Sequence, residues 1–227
     1  MRALLLIFAL LLPALAAGQD LRPVRCRFLS FGGTDSSATV LALSDKGAEV
    51  RCPLSTDSMS EPVVCFAGDN KIAFLSPADR KPTATATIPA AAKAVILVFV
   101  ANSKPSADSP PWKVLVIEDT PKNFPDGGAF VANFYHKDIR FILGEHKGML
   151  HPAGNHGYPL PAERDAFNMA PVIFEFLQDE SWRTASESVV RFLPGMRYLI
   201  FAYVDPASGR PRISTFQDLA PPVTEAP

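Results

Sequence analysis

The sequence predicts an all-β protein made of two tandem antiparallel β-sandwich (immunoglobulin-like) domains, and three observations predict it. Prolines number 22 against 13 glycines in 227 residues, a density that breaks long helices because proline lacks an amide hydrogen and clashes with the preceding turn. Apolar and β-branched residues come in pieces of about four to eight, bounded by Gly, Pro, Asp and Ser, as strands and turns are written. The series of pieces is written twice at an offset near 100 residues, as in Leu43 with Leu143 and Asp119 with Asp218. Composition excludes two classes at once. A chain that is 48% hydrophobic, 20% charged and of formal net charge -1 is neither a disordered chain nor a nucleic-acid platform.

Residues 1–18 read as a secretory signal peptide: Arg2, the apolar run Ala3 to Leu12, then the small residues around Ala16-Ala17-Gly18. That run is too short for the ~20 residues of a membrane-spanning helix. The longest later apolar run, Ala94 to Ala101, reads as a buried strand, so no transmembrane segment is expected after leader removal. Arg2 is the one charged residue in the leader, and its loss takes the formal charge from -1 to -2. The expected location is therefore periplasmic or extracellular, with no nucleic acid as partner.

The first domain spans 19–119. Its strands are expected at Val24 to Phe31, Ala38 to Leu43, Ala48 to Cys52, Ile72 to Leu75, Thr83 to Ile88, Ala94 to Val100 and Trp112 to Ile117, with Val63 to Ala67 also strand-like. Residues 120–128, with Pro121, Pro125, Gly127 and Gly128, read as a linker. The second domain spans 129–219, with strands expected at Ala129 to Tyr135, Ile139 to Leu143, Met149 to His151, Val172 to Leu177, Ser188 to Leu193, Arg197 to Val204 and Arg212 to Phe216. One short helix is expected at Ala162 to Met169, between Pro161 and Pro171. Residues 220–227 read as a disordered tail. The repeat is clearest where a strand, a proline turn and an apolar strand recur, at Ala86 to Phe99 and at Arg191 to Phe201. About seven strands per half is the count of an immunoglobulin-like sandwich.

All three cysteines, Cys26, Cys52 and Cys65, lie in the first domain of a chain read as exported, where disulfides persist. A Cys52–Cys65 disulfide is expected, with Cys26–Cys65 as its rival and the leftover thiol as a small buried hydrophobe. The four histidines fall between His136 and His156. Strand geometry separates His146 from His136 and returns His151 and His156 toward it, so His136, His151 and His156, with Asp138, form the feasible zinc or copper set. No cofactor is otherwise expected. The acids Glu118-Asp119 and Asp179-Glu180 read as solvated strand ends rather than as a glycosidase pair. Tyr135, Tyr158, Trp112 and Trp182 are the candidates for an exposed aromatic platform. No catalytic motif is present, and no residue is expected to be catalytic.

The segment Leu160-Pro161-Ala162-Glu163-Arg164-Asp165-Ala166-Phe167-Asn168-Met169 is similar to a stretch of periplasmic pilus chaperones, which have a leader and two immunoglobulin-like domains. Here it lies in the second domain, and Asp165-Ala166 stands where that family has an acid-serine pair. The unit Phe124 to Asn133 resembles uncharacterised secreted bacterial proteins with tandem β-sandwich domains, a resemblance that brings no activity. The function expected is that of an exported, non-catalytic protein-interaction or structural protein of the cell envelope, with another envelope or extracellular protein as partner. A zinc- or copper-binding protein and a chaperone-like assembly protein are the alternatives.

Overall fold

A computed structural model describes residues 21–33, 38–102, 106 and 109–219. The segments read as leader (1–18) and tail (220–227) lie outside the described residues, among which there is no helix and thus none long and apolar enough to cross a membrane. The first half contains β1 (Arg22–Phe31), β2 (Thr39–Leu43), β3 (Glu49–Pro53), β4 (Val63–Ala67), β5 (Lys71–Leu75), β6 (Pro82–Thr87), β7 (Ala94–Ala101) and β8 (Trp112–Glu118). The second contains β9 (Ala129–Asn133), β10 (Ile139–Leu143), β11 (His146–Leu150), β12 (Asn155–Tyr158), β13 (Met169–Gln178), β14 (Ser181–Arg191), β15 (Arg197–Val204) and β16 (Pro211–Asp218). Among the described residues each half thus carries eight strands rather than seven.

The two halves repeat one topology. Sheets β4-β1-β7-β8 and β3-β2-β5-β6 form the first sandwich, and sheets β12-β9-β15-β16 and β11-β10-β13-β14 form the second. Adding eight to every strand of the first gives the second. Pairing is antiparallel except for β1 with β7 and β9 with β15, which are parallel. Each sandwich has its own core. Phe28, Phe74 and Phe99 lie in the first, and Phe141, Phe174 and Phe176 in the second.

A third core joins the halves. Leu29, Phe31, Ile96 and Val98 of β1 and β7 pack on Phe130, Ala132, Leu199 and Phe201 of β9 and β15, with Phe216 at their side. The β4-β1-β7-β8 and β12-β9-β15-β16 sheets are therefore covered on both faces, which is the setting in which parallel strand pairs occur. Residues 94–99 of β7 and 197–202 of β15 are buried without alternation for this reason. On β6 the pattern alternates, because the β3-β2-β5-β6 sheet has one face in solvent.

Two sequence expectations change. The segment from Ala162 to Asn168 is turn and irregular chain rather than helix, and Met169 already begins β13. Glu145 accepts hydrogen bonds from the amides of Ala162 (2.7 Å) and Glu163 (3.1 Å), and Asp165 accepts from those of Phe167 and Met169. The Asp165 carboxylate thus takes the Phe167 and Met169 donors that a helix would have used, which is how Asp favours turns. The strand β12 is not among the strands the sequence marks, since Asn155-His156-Gly157-Tyr158 has no apolar alternation; it is held by pairing with β9. Gly157 is required there, because a Cβ would lie 2.0 Å from the Asn123 carbonyl oxygen. Gly157→Ala should cost about 1–3 kcal/mol by overpacking against backbone, read as a lowered urea midpoint. An unchanged midpoint would mean that the 120–128 segment does not press on β12.

Glu145 also predicts a pH dependence. Burial raises its carboxyl, but the backbone hydrogen bonds from Ala162, its own amide and Glu163, with the charge of His146, outweigh burial and hold it below the ordinary value of 4.5. A group depressed in the folded state contributes stability above its unfolded pKa and loses it as pH falls through the folded one. The stability difference between the wild type and Glu145→Gln should therefore be present at pH 7 and shrink below about pH 4.5. A difference that stays constant from pH 7 to pH 3 would contradict it.

Candidate functional site

The histidines expected to converge sit on separate supports. His151 Nδ1 lies 2.9 Å from Asp138 Oδ1, as the return of the strand predicts. His136 rests against the ring of its neighbour Tyr135, and His156, on β12, against Tyr158. His146 faces Glu145 at 3.5 Å and the Pro159 carbonyl at 3.2 Å. Among the described residues no group of three or more His, Cys, Asp or Glu side chains is placed to hold a metal ion. His136, His151 and His156 therefore do not make the zinc or copper set that the spacing suggested. Each ring rests instead on its own local partner, His151 on Asp138, His136 on Tyr135, His156 on Tyr158 and His146 on the Pro159 carbonyl.

The candidate aromatic platform also divides. Trp112 packs at the margin of the first core against Phe99. Tyr135 is buried in the second core and donates its hydroxyl to the Leu177 carbonyl. Tyr158 packs edge-on against Phe141. Trp182 alone lies on an outer sheet face, with the Arg140 guanidinium 4.7 Å above its ring.

The acids behave differently from expectation at one point. Asp179 and Glu180 are the tight turn between β13 and β14, both with positive φ. Glu118, half-buried at the end of β8, accepts from Asn123 at 2.8 Å. Asp119, however, is buried rather than solvated, 4% exposed, and accepts from Arg197 Nη1 at 2.8 Å. Arg197 also binds Asp218, which in turn takes two hydrogen bonds from Arg27, at 2.8 and 3.1 Å. The Arg197 guanidinium donates to the Phe124 carbonyl and stacks 4.1 Å from the Phe124 ring. Two arginines and two aspartates from both halves thus close the same interface as the third core. Charges removed from water persist only when paired and hydrogen-bonded in this way.

Two depressions border these features. A crevice of about 320 Å³ lies between Val116–Glu118, the 120–128 segment and β12, lined by Lys122, Asn123 and His156 among others. Glu118 is its one lining carboxylate, and no serine or cysteine lines it. Its lining thus holds neither a carboxylate pair nor a serine or cysteine nucleophile beside a base. The second depression, about 410 Å³, lies on the outer face of the β11-β10-β13-β14 sheet. Ile142 and Ile173 are cross-strand partners at its floor, and Met149 beside them is 54% exposed. Arg140 and Glu175 pair at one end, and Lys147 lies at the other. Val189 of the edge strand β14 is 60% exposed. An outer sheet face in water is normally polar, so these residues form an apolar surface built on regular strands. Periodicity reveals Ile142 and Ile173 only once their cross-strand pairing is known.

In the core of the first sandwich, the sulfurs of Cys52 and Cys65 stand 3.8 Å apart as free thiols, without the expected bridge, and Cys26 is buried beside them. Interaction with Cys65, then burial, pushes the Cys26 and Cys52 thiols up, and the hydrogen bonds they give hold Cys65 below its ordinary value against its own burial. Compared with known proteins, the chain matches no family model, and no curated protein matches it.

Proposed function

We propose that this is an exported, non-catalytic β-sandwich protein that binds another envelope or extracellular protein through the outer face of its second sandwich. The observation that carries the reading is the apolar strip of exposed Met149 and half-buried Ile142 and Ile173, framed by Arg140, Glu175 and Lys147. Interaction surfaces have this anatomy of apolar centre and charged rim. The leader-like start of the chain supports export, and export supports a Cys52–Cys65 disulfide stapling the two sheets of the first sandwich.

The test is cross-linking of the full-length protein in its native envelope, comparing wild type with Ile142→Lys/Ile173→Glu and with Leu43→Lys on the first sandwich. Loss of one wild-type adduct in the double variant alone supports the reading, with at least a tenfold drop expected for two disrupted apolar anchors. An adduct kept by the double variant, or no adduct in the wild type, refutes it.

A further inference from the structure

The three cysteines of the chain meet in one core although they come from three strands. In the β1–β4 ladder Val24 lies opposite Cys65 and Cys26 opposite Val63. Cys26 and Cys65 are therefore diagonal neighbours on the same core-facing side. Cys52 reaches Cys65 from the facing sheet, at 3.8 Å between sulfurs. Cys65 is the sulfur that both others address, and as a thiolate it is the one their hydrogen bonds favour.

We propose that Cys65 is shared by two mutually exclusive disulfides, an inter-sheet bridge to Cys52 and an intra-sheet bridge to Cys26, which interconvert by thiol–disulfide exchange. The proposal extends the Cys52–Cys65 bridge proposed above and is independent of the partner surface. Oxidation removes two protons and two electrons from the Cys52 and Cys65 thiols, and a small-molecule disulfide accepts them and leaves as two thiols. Exchange needs no further oxidant. The Cys26 thiolate attacks Cys65 Sγ, the Cys26–Cys65 bond forms, the Cys65–Cys52 bond breaks, and Cys52 leaves as a thiolate that takes up the proton Cys26 released.

The two bridges differ in strain and in consequence. Disulfides prefer Cα separations below about 6.8 Å, whereas diagonal neighbours in an antiparallel ladder lie about 7–8 Å apart. The Cys26–Cys65 bridge is therefore the strained and more easily reduced member. Its formation removes the staple between the two sheets and leaves β3 held by pairing and packing alone. Because all three sulfurs are buried, exchange takes place during local opening of this core.

The experiment refolds the full chain in a reduced and oxidised glutathione mixture, quenches with acid, alkylates free thiols and maps bridges by peptide mass spectrometry. In the wild type, Cys52–Cys65 is expected as the major bridge and Cys26–Cys65 as the minor one, so alkylation falls on both Cys26 and Cys52. Cys52→Ala is expected to form Cys26–Cys65, opening at a lower glutathione ratio than the Cys52–Cys65 bridge of Cys26→Ala. Alkylation of Cys26 alone in the wild type, a Cys26–Cys52 bridge, or no bridge at all would each overturn the proposal. Should Cys52→Ala fail to fold, the wild-type map decides by itself.

Discussion

Replacing Arg197 by methionine is expected to lower the stability of the protein by about 3–5 kcal/mol, the cost of breaking a buried ion pair from one side. Arg197 is fully buried and lies between Asp119 of the first half and Asp218 of the second. Methionine approximates the volume of the aliphatic stem, so the loss is one of charge and hydrogen bonds more than of packing. Asp218 retains Arg27, but Asp119 is left buried without its guanidinium. An unpaired buried carboxylate is what makes the one-sided change costly. The double variant Arg197→Met/Asp119→Leu removes both members and should recover part of the loss, since replacing a whole buried pair by apolar residues is often near neutral. Urea unfolding of the three proteins measures both effects. A loss under about 1 kcal/mol for Arg197→Met, the range of exposed pairs, would show that water reaches the cluster.

The sequence carries much of this fold on its surface. The tandem repeat is visible as paired segments, and the observed sheets repeat strand for strand, so that the early correspondence of Asp119 with Asp218 turns out to join two carboxylates on one arginine. The uninterrupted apolar run of β7 was readable as a buried strand. What it could not reveal is that its second covered face belongs to the other half, because a strand records how much of it is buried and not by what. The edge strand β12 was hidden for the opposite reason. Its pairing depends on a close backbone approach at Gly157, and no apolar residue marks it. The helix expected at Ala162 to Met169 failed because the Asp165 carboxylate captures the amides of Phe167 and Met169, which a helix would have turned to its own carbonyls. Local proline punctuation was legible there, and the direction of the Asp165 side chain was not. The histidine set illustrates the limit of topological reasoning: strand direction correctly brought His151 to Asp138, but side-chain direction on exposed ends is set by neighbours such as Tyr135 and Tyr158.

The third core makes a second large prediction, that the two halves unfold as one. Phe201 is fully buried within it, with ring centroids 5.1 Å from Phe31 across the interface and 5.2 and 5.5 Å from Phe134 and Phe216 on its own side. Phe201→Ala removes this central ring and should cost about 3–5 kcal/mol, which for a chain of this size lowers Tm by roughly 6–20 °C. The two tryptophans allow the loss to be located. Trp112 sits in the first sandwich and Trp182 on the second. Fluorescence of Trp182→Phe therefore reports the first half, and fluorescence of Trp112→Phe the second. If the interface couples the sandwiches, both probes give one midpoint, and Phe201→Ala moves both together although the residue belongs to the second half. If the sandwiches are independent, only the second-half probe moves and the first-half midpoint stays in place. Coupling is the expected result because separation would expose Leu29, Phe31, Ile96 and Val98 on one side and Phe130, Leu199 and Phe201 on the other, and would strip Arg197 from Asp119 in the same step. Burial of a continuous apolar face and of a charge cluster on one surface makes the open state costly in both terms.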